Sequence, residues 1–297
     1  MKFDYLADVK IIDLSQRLPG PYGSFILQSL GAKVTKLENT DQGGDFFNSD
    51  SAKMFNPNFL DWYKTLNDQK KINTLSFSNE LSTLVKIIKK YDLIIAPKNS
   101  FLQNLFSEYP LESTQCLIYL SGGKNQWRSL HDLNALSFTK TFKDHLYHND
   151  SLPYLPIAGM SYGQYLATLS LAMLRKASKT NKAQQETLYL KDTCNFLLDA
   201  LHSEQTNSPH KFLHNGLYPC YQIYKTKDDH YVCLAAIEEK YWNLFIKIFN
   251  LPLSEQDRFD KSEKTHSLLK KLFAKQTGHE INTKINNQSI CLTIVRA

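Results

Sequence analysis

The segment Val9–Glu38, VKIIDLSQRLPGPYGSFILQSLGAKVTKLE, decides the fold because it carries a complete strand–helix–strand pattern. β-Branched and apolar residues predict a strand at Lys10–Leu14. Apolar residues at helical spacing predict a helix at Ser24–Leu30, which Gly31 would end. A second strand is predicted at Val34–Leu37. Two parallel strands joined by a helix form a βαβ unit with a right-handed crossover.

The turn SQRLPGPYG between the first strand and the helix is the first candidate ligand site. Its two prolines and two glycines predict that neither the strand nor the helix extends through it. It follows the carboxyl end of the first strand, where open α/β sheets bind ligands. The sequence GxGxxG is missing, so this unit is not a dinucleotide fingerprint.

The alternation of strands and helices continues beyond this unit. Strands are predicted at Lys70–Phe77, Tyr91–Ala96 and Cys116–Ser121. Helices are predicted between them, at Glu80–Lys90 and Leu102–Phe106, the first with leucine and isoleucine on one face. This pattern predicts an α/β fold with a doubly wound sheet.

Two stretches lack a clear period, and a polar segment divides the chain. Residues 40–60 are rich in Gly, Asn, Asp and Ser and predict a long loop, and residues 141–160 are predicted to be irregular. Helices are predicted at Tyr162–Lys176, which has a small-residue face, and at Asp192–Ser203. We therefore expect a large domain at 1–203 and a linker at 204–220.

A second, smaller domain is expected at 221–297. Tyr221–Thr226 and Tyr231–Ala236 alternate in polarity around two aspartates, which predicts a β-hairpin. Two helices follow, at Glu239–Phe249 and His266–Lys275.

Composition excludes several classes of protein. The 297 residues are 42% hydrophobic and 22% charged, with no apolar run long enough for a membrane helix and no signal-peptide pattern, so the expected compartment is the cytoplasm. The net charge of +6 comes without a nucleic-acid-binding motif and predicts a solvated basic surface, compatible with a small phosphate-bearing ligand. Five scattered cysteines predict reduced thiols and no zinc site.

Six ordered segments resemble the family III CoA-transferases of the CaiB/BaiF type, a family that includes the α-methylacyl-CoA racemase branch. They are DLSQRLPGPYGSFILQSLGAKVTKLE, LIYLSG, LHDLNAL, the helix ending LAMLRK with the following NKAQ, YQIYKTKDDHYVCLAAIEEKYW, and SICLTIV. The resemblance covers almost the whole chain. It implies a Rossmann-like large domain with a second, smaller α/β domain. It also implies an interlocked homodimer with an active site between the large domain of one subunit and the small domain of the other.

The resemblance also implies acyl-CoA as the substrate and places two candidate catalytic residues. His131 of LHDLN matches the histidine that serves as a base in the racemase branch, where it would remove the acidic α-proton of a thioester. Glu238 of AAIEEKYW matches an acid that hydrogen-bonds this histidine. Without the resemblance, His131 is an ordinary surface histidine, and Glu238 is an acid favoured by a helix N-terminus.

A third family position is changed. Family members carry an aspartate before the long helix, as the nucleophile of transferases or the second base of racemases. Met160 stands there in the segment IAGMSYG, and a thioether neither takes a proton at neutral pH nor forms an anhydride. Ser161 lies next to it without a visible activating base. Covalent CoA transfer is therefore disfavoured.

CoA contacts follow from the same resemblance. They are expected at the turn Arg17, Leu18, Pro19 and Gly20, at Asn39, at Lys70 and Lys71, at Lys98, and at Asp132. Each lysine taken alone is typical of a solvated surface.

Two hypotheses remain open. The first is an acyl-CoA enzyme of the racemase type, with His131 as base. The second is a catalytically degenerate homologue that acts as a CoA-binding or protein-interaction dimer. Three departures favour the second: Met160, the loss of the FRPG motif around Lys98, and an end at IVRA where family members continue with a segment that returns to the large domain. The loop GGKNQWRS is also shorter than its family counterpart.

Overall fold

The computed structural model describes residues 3–148, 155–202, 213–286 and 288–295. The chain divides into two compact units, Met1–Ser203 and Glu204–Ala297. Residues 204–212 of the expected linker lie outside the described ranges, and Leu213–Asn215 forms a short 3₁₀ turn.

The first unit is built on a six-stranded sheet in which all neighbouring strands are parallel. Its strands are β1 Lys10–Asp13, β2 Lys33–Asn39, β3 Lys71–Leu75, β4 Leu93–Pro97, β5 Cys116–Ser121 and β6 Gln184–Tyr189. Their order is β3-β2-β1-β4-β5-β6, so the direction of winding reverses between β1 and β4. The predicted doubly wound α/β fold is confirmed.

Helices cover both faces of this sheet, and each face has its own apolar core. The helices are α1 Pro19–Ser29, α2 Asp50–Phe55, α3 Asn58–Asn67, α4 Leu81–Ile88, α5 Ser100–Glu108, α6 Asp132–Leu136, α7 Lys140–His148, α8 Ile157–Thr180 and α9 Leu190–Leu198. Successive residues of β1 enter different cores: Ile11 packs with residues of α1 and α8, and Ile12 packs with residues of α4 and α5. This alternation is the two-residue period of a strand that is buried on both sides.

The first helix starts earlier than predicted. It begins at Pro19, inside the segment that we expected to be a turn, because proline is tolerated in the first helical turn, where its missing N–H is not needed. At its other end Gly31 has φ +109° and donates to the carbonyl of Gln28, as expected of a C-terminal glycine.

The predicted loop at residues 40–60 was wrong. Two helices, α2 and α3, begin there, and Ser49 caps α2 by accepting the N–H of Ala52 at 3.2 Å. The rings of Phe47, Phe59 and Trp62 pack together within 4.4–6.0 Å and hold the helices to the preceding turn. Ser, Asp and Asn favour helix caps as well as loops, and composition alone does not separate the two.

The irregular stretch predicted at residues 141–160 was also partly wrong. Helix α7 covers 140–148, and α8 begins at Ile157 and runs to Thr180, so it is longer at both ends than the predicted helix. The predicted helix at Asp192–Ser203 is α9, which begins and ends a few residues earlier.

The predicted small-residue face of α8 packs against α1. A Cβ atom added to Gly163 would lie 2.8 Å from the carbonyl oxygen of Pro19 and 2.8 Å from Cδ1 of Tyr22. A Cβ atom added to Gly23 would lie 2.6 Å from Leu166. These close approaches fix the β1–α1 turn relative to the first turns of α8.

The second unit contains an antiparallel sheet with strand order β7-β8-β9, formed by Tyr221–Lys225, Tyr231–Ala235 and Leu292–Val295. The predicted hairpin is therefore present, with a third strand beside it. Helices α10 Glu239–Ile248, α11 Glu263–Phe273 and α12 Gly278–Ile285 accompany the sheet, and its core is built around Trp242 and Phe245. Throughout the described residues, no helix is both long and apolar enough to cross a lipid bilayer.

Candidate functional site

The turn after β1 is held by a buried carboxylate at the end of that strand. Asp13 accepts hydrogen bonds from the backbone N–H and the hydroxyl of Ser15, and from the hydroxyl of Ser24 in α1 at 2.5 Å. Burial opposes its charge, but the ammonium groups of Lys70 and Lys36 and the two hydroxyls hold the pKa of Asp13 below its usual value. The Asp13 side chain thus links the end of β1, the β1–α1 turn and α1.

Four charged side chains meet beneath this turn, all of them buried. The Lys36 ammonium lies 2.8 Å from Asp45 and donates to the carbonyl of Ser15 at 2.8 Å. The Lys70 ammonium lies 3.6 Å from Asp13 and donates to Pro21 O at 2.9 Å. We call Asp13, Lys36, Asp45 and Lys70 the buried ion cluster.

An outer layer of polar groups completes the cluster. Asp45 accepts the N–H of Arg17 at 3.1 Å and holds that residue in a left-handed conformation with φ +67°. The Asp45 N–H donates to Glu38, which also accepts the hydroxyl of Tyr63 at 2.7 Å. Burial and the Glu38 carboxylate raise the pKa of Tyr63, so this hydroxyl stays protonated.

A cleft of about 340 Å³ opens at the carboxyl ends of β1, β4 and β5. Its walls include the β1–α1 turn, the end of β4 at Pro97–Asn99, and the end of β5 at Leu120–Gly122. Because the winding reverses between β1 and β4, this is the switch point at which such sheets bind ligands. Gly20 lets the start of α1 lie close to Ser15, because a Cβ atom at position 20 would collide with the Ser15 side chain.

Basic groups stand along one side of this cleft. The Lys98 ammonium donates to Thr187 Oγ1 at 3.2 Å and to the Tyr189 hydroxyl at 3.3 Å. Arg128, which is exposed, also lines the cleft. Asn99, which also lines the cleft, caps α5 by accepting the N–H of Leu102, so that helix begins at the wall of the cleft. Cations and helix amides suit a phosphate-bearing ligand.

The segment after β5 is bound to the start of α8. The Asp132 carboxylate, in the first turn of α6, accepts the N–H of Gly159 at 2.6 Å. Burial raises the pKa of Asp132, although the amides of Gly159 and Ala158 partly offset this. His131 immediately precedes Asp132 as an exposed residue at the start of α6, and its backbone N–H donates to Asn134 at 3.4 Å.

Met160 follows Gly159 in the first turn of α8. Its N–H donates to the carbonyl of Pro156, and its half-buried side chain lines a second cavity, of about 250 Å³, together with Leu18. The structure therefore brings the segments of His131, Asp132 and Met160 to one corner of the first unit. In the described residues, no group of three or more His, Cys, Asp or Glu side chains could hold a metal ion.

The remaining predicted residues have other environments. Lys71 is exposed, whereas Lys70 is buried in the ion cluster, so it can serve a ligand only indirectly, by holding α1. Asn39 accepts backbone N–H groups of Asp41 and Phe77 and shapes the turn after β2. Glu238, in the second unit, is the exposed residue that precedes α10.

Several residues of the candidate site were not predicted from the sequence. Asp13 and Asp45 carry the ion cluster, and Arg128 lines the cleft, but none of them was predicted. An aspartate that ends an otherwise apolar buried strand is a usable signal for Asp13, because such a carboxylate needs partners. Asp45 and Arg128 lie in irregular segments that offer no comparable signal.

The chain is thus an α/β protein with a doubly wound sheet and a cleft at its switch point, the place at which such sheets bind ligands. The chain belongs to CoA-transferase family III, whose sequence model matches residues 6–99 and 147–297. These ranges include Met160 and Glu238 and leave out the segment that carries His131.

Individual relatives agree with this assignment. Mouse (Mus musculus) alpha-methylacyl-CoA racemase is 23% identical over 311 residues, which cover 98% of this chain and 77% of the racemase. A CAIB/BAIF family protein from Brucella suis has a TM-score of 0.73 at 14% identity and covers 100% of this chain and 85% of its own. A hypothetical protein from Mycobacterium tuberculosis gives 0.68 at 17% identity, with coverage of 100% and 86%. At these identities the structural likeness shows the fold alone.

Proposed function

We propose that this protein binds an acyl-CoA thioester and removes its α-proton with His131 as the base. The observation that carries the proposal is the 2.6 Å hydrogen bond from Gly159 to Asp132. This bond holds Asp132, which follows His131, next to Gly159, which precedes Met160. Positions 131 and 160, which the family uses for acid–base chemistry, are therefore in the same corner of the first unit. The similarity to a mouse racemase supports the same reaction class.

The phosphate groups of CoA fit the cleft at the switch point. Lys98 and Arg128 line this cleft and would supply positive charge to the phosphates, together with the start of α5 beside Asn99. Leu18 and Pro19, neighbours in the β1–α1 turn, contribute to the second cavity and to this cleft respectively, so a ligand that passes the turn reaches the corner.

The chemistry follows from the groups available in that corner. A thioester acidifies its α-carbon, and the imidazole of His131 is the proposed base that accepts this proton. Asp132 has its Oδ1 engaged by the start of α8, and Met160 cannot accept a proton. We therefore expect α-proton exchange from a single base and no covalent acyl transfer. The pairing of His131 with Glu238, the homodimer and the cytoplasmic location stay predictions.

A second candidate is a catalytically degenerate homologue that only binds CoA or a protein partner. Met160 favours it, because a carboxylate at that position is what the transferase reaction requires. The two candidates share the cleft and differ in whether His131 acts on the bound thioester.

The test follows the α-proton of a 2-methylacyl-CoA by NMR in deuterated buffer, beside His131→Ala. The matched control is His279→Ala, which changes an exposed histidine of α12. Exchange that is lost only in His131→Ala supports the enzyme. No exchange, with CoA still raising the melting temperature, supports the binding protein. No exchange and no thermal shift would overturn the enzyme and the CoA-binding protein, and would leave the protein-interaction dimer.

A further inference from the structure

A groove of about 410 Å³ lies on the surface of the second unit beside α11. One wall is formed by residues of α11 and the turn after it that are spaced to lie on one helix face. These residues are Leu268, Lys271, Leu272 and Lys275. Leu251 and Pro252, which follow α10, form another wall, and Gln276 is the remaining lining residue.

The walls of this α11 groove are fixed by hydrogen bonds. The N–H of Leu251 donates to the carbonyl of Ile246 at 2.9 Å and so holds the chain where it leaves α10. Gln276, which is only 8% exposed, donates to the carbonyl of Leu272 at 3.1 Å and accepts from the Lys284 ammonium at 2.5 Å. A groove with fixed walls binds a partner with little ordering cost.

The groove combines an apolar floor with positive charge at its rim. Leu251, Leu268 and Leu272 pack against the core of the second unit and are partly buried, whereas Lys271 and Lys275 are exposed. Among the described residues, neither lysine forms an ion pair, and no acidic side chain lines the groove. Both ammonium groups can therefore pair with carboxylates of a bound partner.

An amphipathic helix matches this arrangement better than a small acyl ligand does. Lys271 and Lys275 are four residues apart, which is also the spacing of two acids on one face of a partner helix. Since a cavity of about 150 Å³ holds benzene, the groove admits about two or three aliphatic or aromatic side chains. Its leucines are only partly buried, so a small ligand would stay partly in water, whereas a helix laid along α11 would cover them.

We propose that the α11 groove binds an acidic amphipathic helix of a partner protein. Aliphatic side chains of that helix fill the space between α11 and Pro252, and two of its carboxylates pair with Lys271 and Lys275. The apolar contacts supply most of the affinity, and the ion pairs select acidic helices over neutral ones. The inference concerns a surface of the second unit and does not depend on acyl-CoA binding by the first.

The test measures the binding of a fluorescein-labelled peptide to the full chain by fluorescence anisotropy. The peptide has about 18 residues, enough to form a helix, with leucine along one face and glutamate on both flanks. We expect saturable binding that weakens at least about tenfold in Lys271→Glu/Lys275→Glu, because two attractions become repulsions. A peptide with glutamine in place of glutamate should bind the unmodified protein at least about threefold more weakly.

A matched control separates the groove from the charge of the whole unit. Lys261→Glu/Lys264→Glu makes the same change of charge at two exposed lysines that do not line the groove, and should alter the affinity by less than about twofold. Equal losses in the two double variants would mean a general attraction between a basic surface and an acidic peptide, and would overturn the proposal.

Two further outcomes also decide against the proposal. The absence of any binding by the glutamate peptide overturns it, as does equal binding of the glutamine peptide. If the peptide does not bind but decanoate does, with an affinity that Lys271→Glu/Lys275→Glu lowers, the groove takes a lipid carboxylate instead of a helix.

Discussion

The buried ion cluster and the corner that holds His131 and Met160 are built on opposite principles. The cluster encloses four paired charges beneath the β1–α1 turn, where each charge depends on the others. The corner has one partly buried carboxylate, Asp132, bound to a helix N-terminus, and otherwise an exposed histidine and a thioether. Replacing one charged residue of the cluster should lower the free energy of unfolding strongly, whereas residues of the corner can be replaced with a small effect on it. The ligand-binding scaffold can therefore persist while the chemistry changes.

The largest expected effect is that of Asp13→Asn. The variant leaves the Lys70 ammonium buried without its carboxylate, and breaking a buried ion pair costs about 3–5 kcal/mol. Urea denaturation of the full chain, followed by the transition of the first unit, would measure the change in free energy of unfolding. A loss below about 1 kcal/mol would mean that the cluster is not a unit.

A second prediction concerns pH and has a smaller magnitude. Burial lowers the pKa of Lys70 from 10.5 to about 8, and the attraction of Asp13 only partly offsets this. Between these values the unfolded chain binds more protons than the folded protein, so the free energy of unfolding contributed by Lys70 rises with pH. From pH 7 to 9.5 the gain should be about 2 kcal/mol.

The reference for this measurement is the double variant Asp13→Asn/Lys70→Met, which removes both charges and keeps similar side-chain volumes. The free energy of unfolding of this double variant should not increase with pH above pH 8. Lys71→Gln, which changes the exposed neighbour of Lys70, should behave like the unmodified protein. Equal pH profiles for the double variant and the unmodified protein would show that Lys70 does not titrate in this range.

The comparison also explains which features could be predicted from the sequence. The parallel sheet and the switch-point turn follow from local periodicity, which is present in Val9–Glu38. The segment LHDLN attracted notice through its family resemblance, and the structure places it beside α8. The ion cluster joins β1, β2, the segment at Asp45 and the start of β3, and no local pattern reports that these meet. Lysine is usually exposed, so Lys36 and Lys70 were natural candidates for the surface.

Helices α2 and α3 show a related limit. Their sequence is rich in residues that cap helices and also form loops, and the aromatic contacts that select the helix are tertiary. The second cavity, of about 250 Å³, depends on the same contacts, because Trp62 is one of its walls. From the sequence alone, Met160 is recognised only as a replacement for the aspartate that family members carry at this position. Only the packing of α1, α3 and α8 shows that the methionine faces an apolar cavity.

The smallest expected effect is that of Asp132→Asn, the same chemical change as Asp13→Asn made in the corner. An asparagine oxygen can still accept the N–H of Gly159, and the variant no longer buries a charge. Because burial raises the pKa of Asp132, the folded protein binds more protons than the unfolded chain above pH 3.8, so this group's contribution to stability falls as pH rises through its folded pKa. Asp13 has the opposite shift and the opposite slope. We therefore expect Asp132→Asn to change the free energy of unfolding at pH 7 by less than about 1 kcal/mol, in the stabilising direction. A loss as large as that of Asp13→Asn would show that the corner is as interdependent as the cluster, and the contrast between scaffold and chemistry would no longer hold.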